Sequence, residues 1–136
     1  MMPLLKFADA NKRITISIEI EGVATTAILD TGAPYSICEP EIARELGFDS
    51  ADAIEDIKIS TWGGKVNGSI HRVNLSLPAD EGTSLSLDAP VFVPDLDQDF
   101  APGFPPSFLG LIGCLQSMRF AIDPSSENFY FMASPR

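Results

Sequence analysis

The chain has 136 residues, 45% of them apolar, and a formal net charge of −10. That length fits one domain with its own core. The negative charge argues against nucleic acid and anionic membrane surfaces as partners, and no apolar run approaches the ~20 residues that cross a bilayer.

The N-terminal run Met1 to Phe7 is too short and broken for a signal-peptide core, so a cytoplasmic protein is expected. Residues 14–20 (ITISIEI) alternate strictly and read as a strand with one buried face. Glu21-Gly22 marks a turn, and Val23 to Leu29 returns as the second strand of a hairpin. This strand becomes more apolar toward Ala27-Ile28-Leu29, then stops at Asp30-Thr31-Gly32-Ala33. A short helix is expected over residues 39–47, with Pro40 in its first turn and Gly47 at its stop. An acidic connection follows, then alternating runs over Ile57 to Thr61 and Ile70 to Leu77, with Trp62-Gly63-Gly64 between them. Residues 57–77 therefore read as one long hairpin with a glycine-rich tip. Short strands are expected at Leu85 to Leu87 and Pro90 to Val93. Residues 94–106 form an irregular loop rich in aspartate and proline. An apolar, glycine-punctuated segment runs from Phe108 to Leu115, and strands at Met118 to Ile122 and Asn128 to Met132 close the chain. The reading is a single all-β domain over 1–136 with one or two short helices.

Asp30 is the residue that draws attention, because a carboxylate on a tight turn leaving a buried strand is a chemical group held in place. The order of features sharpens it: a feeding strand, Asp-Thr-Gly-Ala, a glycine-tipped hairpin, then Leu111-Ile112-Gly113 before a helix-like piece. In that order the chain resembles the retropepsin-like aspartic peptidases, the single-lobe family of the retroviral proteases with bacterial and cellular members. The resemblance runs from about Ile14 to Met132. It implies a closed β-barrel of the retropepsin (acid protease) type, and a homodimeric aspartic endopeptidase whose centre needs Asp30 from two copies of the chain. The partners implied are itself and an extended peptide or protein substrate, with no metal or organic cofactor.

The chemistry accounts for the residue types. One ionised carboxylate takes a proton from water while a protonated one donates to the scissile carbonyl oxygen. Two carboxylates in contact cannot both ionise cheaply, so they titrate as a pair. Gly32 allows a tight turn and can donate its amide to Asp30. By resemblance, the Thr31 hydroxyl bonds the partner's loop, Ala33 completes the active-site loop, and Leu111-Ile112-Gly113 packs behind it. Phe108-Leu109-Gly110 fits the same backing pattern, and the register stays open. The hairpin over 57–77 becomes the flap, with Gly63 and Gly64 at its tip and Trp62 covering substrate. Substrate lies extended and adds backbone hydrogen bonds as a further strand.

The chain departs from the family at Pro34, which fixes φ and removes a donor beside the loop, and at the long acidic loop 94–106. These departures motivate an alternative, a catalytically weak or inactive peptide-binding or dimerisation module. The C-terminal segment Asn128 to Met132 is a candidate dimer surface. Plainer readings stand beside each site: Asp30 as a turn residue capping its own backbone, Trp62 as a core tryptophan, and Gly63-Gly64 as an ordinary hairpin turn. His71 reads as a structural histidine, since no second histidine exists for a triad or zinc site. Ser36 and Cys38 have no nearby base, and Cys38 and Cys114 read as reduced packing thiols. Asp95, Asp97 and Asp99 lack the glycine and glutamate of a calcium loop.

Overall fold

The computed structural model describes residues 2–10, 13–61 and 64–134. Its strands are β1 (Leu4–Lys6), β2 (Ala8–Ala10), β3 (Arg13–Ile20), β4 (Val23–Leu29), β5 (Ser36–Ile37), β6 (Glu55–Thr61), β7 (Gly64–Leu77), β8 (Leu85–Pro94), β9 (Phe108–Leu109), β10 (Met118–Asp123) and β11 (Asn128–Ala133). One helix, α1 (Pro40–Leu46), and 3-10 turns at Ser50–Asp52 and Leu115–Ser117 complete the described elements. The fold is mostly β, and no described helix is long and apolar enough to cross a membrane.

β3 and β4 pair from Ile20↔Val23 to Thr15↔Ile28. Their connecting residues Glu21 and Gly22 both have positive φ, 47° and 82°, the backbone sense that suits a two-residue hairpin turn. α1 begins on Pro40 and stops where Gly47 turns left-handed at φ 64°, its amide donating to the Ala43 carbonyl. β7 begins at Gly64, seven positions before its alternation of buried and less buried residues becomes regular at His71. β8 is continuous through Pro90, because it is held against β7 from Leu77↔Leu85 to Gly68↔Pro94. The two short strands expected there are one strand, since the long ladder overrides the local break at Asp88-Ala89-Pro90.

The main sheet has the order β2-β3-β4-β9-β5-β8-β7-β6 and curls until β7 also meets β3, at Glu19↔Ser76 and Ile20↔Leu75. A second sheet has the order β1-β11-β10. Both edges of β11 are therefore taken within the chain, so Asn128 to Met132 presents no open strand edge. Phe129 and Phe131 of β11 are wholly buried and join the main core with Ile16, Ile18, Leu75 and Leu77. A smaller core of Ile37, Val66, Ile70, Phe92 and Phe108 lies between the β6–β7 hairpin and β9. Tyr35, Ile59, Phe100 and Phe104 pack against this second core, and it is the one that shapes the site.

Candidate active site

Asp30 leaves the end of β4 where β4 runs parallel to β9, through Ile28↔Phe108 and Leu29↔Leu109. Its backbone amide donates to the Leu109 carbonyl at 3.0 Å, which fixes the point at which the chain turns. The Gly32 amide donates to Asp30 Oδ1 at 2.9 Å, and the Ala33 amide to the Asp30 carbonyl at 3.2 Å. A Cβ on Gly32 would stand 3.2 Å from the same Asp30 oxygen, so glycine suits the close approach. Asp30 is half-buried, while Thr31 and Gly32 are exposed. The Thr31 hydroxyl makes no hydrogen bond among the described residues.

The segment behind this loop is Phe108-Leu109-Gly110, continued by Leu111 and Ile112. A Cβ on Gly110 would fall 2.8 Å from the Ala33 carbonyl oxygen and closer still to the Tyr35 carbonyl, so only glycine lets the two backbones meet. The Leu111 and Ile112 amides donate to the Ala33 and Pro34 carbonyls at 2.9 and 2.7 Å. Gly113 instead turns left-handed at φ 68° against Pro90. Both candidate triplets thus touch the site, the first by close packing and the second through the amides of Leu111 and Ile112.

Four residues outside the sequence-derived site, Ser36, Ser107, Glu39 and Thr25, complete the support. Buried Ser36 accepts the Gly110 amide at 3.0 Å. Ser107 accepts the Glu39 amide at 3.0 Å and donates to Glu39 Oε1 at 3.2 Å. Thr25 also donates to Glu39 Oε1. The usable signal was a serine between apolar neighbours, Tyr35-Ser36-Ile37, where an unpaired hydroxyl would be costly.

A cavity of about 400 Å³ opens over the loop, within the range of small ligand sites. Its lining runs from Asp30 and Gly32 through Ala33, Pro34 and Tyr35 to Ile59, Ser60 and Thr61 of β6, then Phe92 and Phe108. Phe104 and Pro105, joined by a cis peptide, bring the 94–106 loop into the same wall. Asp30 is the one carboxylate among the lining residues. Trp62 and Gly63 lie outside the described residues. Gly64 pairs with Thr61 to close the described part of the hairpin, at φ 113°, and its carbonyl accepts from Thr61 Oγ1 at 2.6 Å.

The other reactive groups sit elsewhere. Burial pushes the Cys38 thiol up to about 12, with the Glu39 charge adding to it. Burial also pushes Cys114 up to about 11, against a small opposing hydrogen bond from Ser36. Both thiols stay protonated at neutral pH and are poor nucleophiles. His71 is buried, its Nε2 3.0 Å from Ser69 Oγ and its ring 4.9 Å from that of Phe48, and it does not line the Asp30 cavity. Asp95 is held above its usual value by burial first and then by the charges of Asp97 and Asp56. No described group of three or more His, Cys, Asp or Glu side chains is arranged to hold a metal ion.

An aspartyl protease family model matches residues 16–96, more than half of the chain. No curated protein sequence matches. Among solved structures, a retropepsin-like aspartic protease from Rickettsia conorii superposes with a TM-score of 0.62 at 21% identity, over 96% of this chain and 90% of that one. That likeness shows a shared retropepsin-like fold. By the matched family model, which holds the Asp30 turn and the strand β4 that leads into it, the chain belongs to the aspartyl protease family.

Proposed function

We propose that the protein is a homodimeric aspartic endopeptidase, each subunit supplying one Asp30 to a shared centre. The observation that carries this reading is that Asp30, held on its turn by hydrogen bonds, is the one carboxylate among the described residues that line the cavity. Water activation by a dyad needs a second carboxylate, and a second copy of the chain supplies it. One Asp30, ionised, takes a proton from water. The other, protonated, donates to the scissile carbonyl oxygen. The exposed Thr31 hydroxyl then bonds the partner's loop, and the curled main sheet serves as the closed barrel of the retropepsin type. Peptide lies extended beneath the β6–β7 hairpin as flap, with apolar side chains against the second core.

The test combines Asp30→Asn with sedimentation. The parent chain is expected to sediment as a dimer and cleave unstructured peptides, and the variant to dimerise without cleaving. Cleavage by Asp30→Asn at the parent rate sinks the reading. A second reading, a peptide-binding module without turnover, is favoured by Phe104 and Pro105 narrowing the cavity and by the donor missing at Pro34. Peptide binding without cleavage from pH about 3 to 8, the span where a carboxylate dyad titrates, would select it.

A further inference from the structure

The β6–β7 hairpin is supported unevenly along its length. β8 flanks β7 only as far as Gly68↔Pro94, where the chains approach so closely that a Cβ on Gly68 would fall 2.5 Å from the Phe92 ring. From Asn67 to Gly64, β7 has β6 on one side and no described strand on the other. Isolated two-stranded hairpins are marginal in water.

At the step where β8 ends, a side chain takes over. Gln98 Nε2 donates to the Asn67 carbonyl at 2.6 Å and to the Asp95 carbonyl at 2.9 Å. Gln98 Oε1 accepts the Asn67 amide at 3.2 Å. The contacts set the orientation of this amide, since the flipped group would set its oxygen against two carbonyls. Asp95 adds its own amide to the Asn67 carbonyl at 2.9 Å. A primary amide that gives and takes with both backbone groups of one residue reproduces one rung of an antiparallel ladder. The same loop anchors a second time through Phe100 and Phe104, which pack on the core shared with Ile57, Ile59 and Val66 of the hairpin.

We propose that Gln98 is a positioning residue: it extends the β7–β8 ladder by one rung and so fixes where Ile59, Ser60 and Thr61 stand on the wall of the Asp30 cavity. The proposal rests on the reading of that cavity as the peptide site. Gln98 touches no reacting group, and it acts through Asn67 and the hairpin. The chain's long loop between β8 and β9 thereby gains a role, as a brace between the two walls of the cleft.

The experiment is amide hydrogen exchange on the full chain, paired with peptide affinity in an Asp30→Asn background, where nothing is cleaved. Gln98→Ala is expected to speed exchange at Asn67 by about 2–10-fold, the worth of one net hydrogen bond, while Ile16 and Ile18 in β3 keep their protection. Peptide affinity should weaken by a similar factor. Gln98→Glu replaces the donating nitrogen by a second oxygen set against the Asn67 and Asp95 carbonyls, so exchange at Asn67 should quicken at least as much as in Gln98→Ala. Unchanged exchange at Asn67, a rise spread evenly over the chain, or unchanged peptide affinity overturns the proposal. If the Asp30→Asn background binds no peptide and the parent cleaves none, the protease reading fails, and Asn67 exchange alone decides whether Gln98 holds the hairpin.

Discussion

The two walls of the Asp30 cavity are built by opposite strategies. The floor is over-determined. Between Asp30 and Pro34 the loop makes one hydrogen bond to β9, two within its own turn and two from Leu111 and Ile112, with Gly110 pressed against its backbone. The roof rests on the pairing of β6 with β7, and beyond Gly68, among the described residues, it leans on Gln98, the Asp95 amide and the aromatics of one loop. On the proposed function, a carboxylate that meets its own copy within one water molecule's reach needs a floor that does not yield. On the same proposal, a wall that admits an extended peptide is better hung from few attachments.

The largest expected effect lies in the chemistry of the floor. Asp30→Asn keeps the acceptor for the Gly32 amide on a residue of the same shape, so fold and dimer should persist. Cleavage should drop by about 10²–10⁴-fold or more, the range for losing a positioned proton-transfer group. Peptide turnover beside a sedimentation profile reads both at once, and a variant that unfolds instead would show that the Asp30 charge is structural. Gly110→Ala attacks the packing of the same floor. The added methyl meets two backbone carbonyls that cannot rotate away, so a loss of about 3 kcal/mol is expected, the upper end of overpacking costs. The denaturation midpoint measures this. The same change at Gly113 should act through Pro90 and the left-handed φ, away from Asp30.

The contrast also explains what the chain revealed before its structure was known. Asp30-Thr31-Gly32, the β3–β4 hairpin and α1 were legible because their causes are local: alternation, a glycine or proline at a turn, a carboxylate after an apolar run. Gly110 could not be told from Gly113, because what distinguishes them is Tyr35, which reaches Gly110 only once β5 and β9 pair at Ile37↔Phe108. β1 was missed for a related reason. Three residues carry no readable period, and Leu4 to Lys6 is a strand because Tyr130 to Asn128 lies beside it. Gln98 was one polar residue in a loop full of them, and only the end of β8 gives it meaning.

Alkaline pH tests the layer beneath the floor. Cys38 and Cys114 flank the Asp30 loop and the Leu111–Gly113 turn in sequence, and their folded values of about 12 and about 11 stand above the ordinary 9.0. The unfolded chain releases these protons first as pH rises. The stabilisation is therefore full below about pH 9 and is lost progressively as pH climbs toward the folded values. The expected slope is at most about 1.4 kcal/mol per pH unit for each thiol. Urea unfolding at pH 8, 9 and 10 measures it. Serine at both positions should remove the thiol share of the slope.

Gly64→Ala should show the smallest global effect and the most informative local one. Gly64 sits at φ 113°, where a side chain is strained by about 1–3 kcal/mol, and among the described residues no atom beyond the chain neighbours lies within 4 Å of the added methyl. In the floor such strain would be forced on the whole domain. Here the strand has β6 alone beside it, so the strain can be relieved by opening the end of the hairpin without unfolding the sheet. The melting temperature should barely move, while exchange at Lys65 and Val66 quickens and the Asp30 loop keeps its protection. A drop in global stability as large as that of Gly110→Ala would show that the roof is bound into the domain as tightly as the floor.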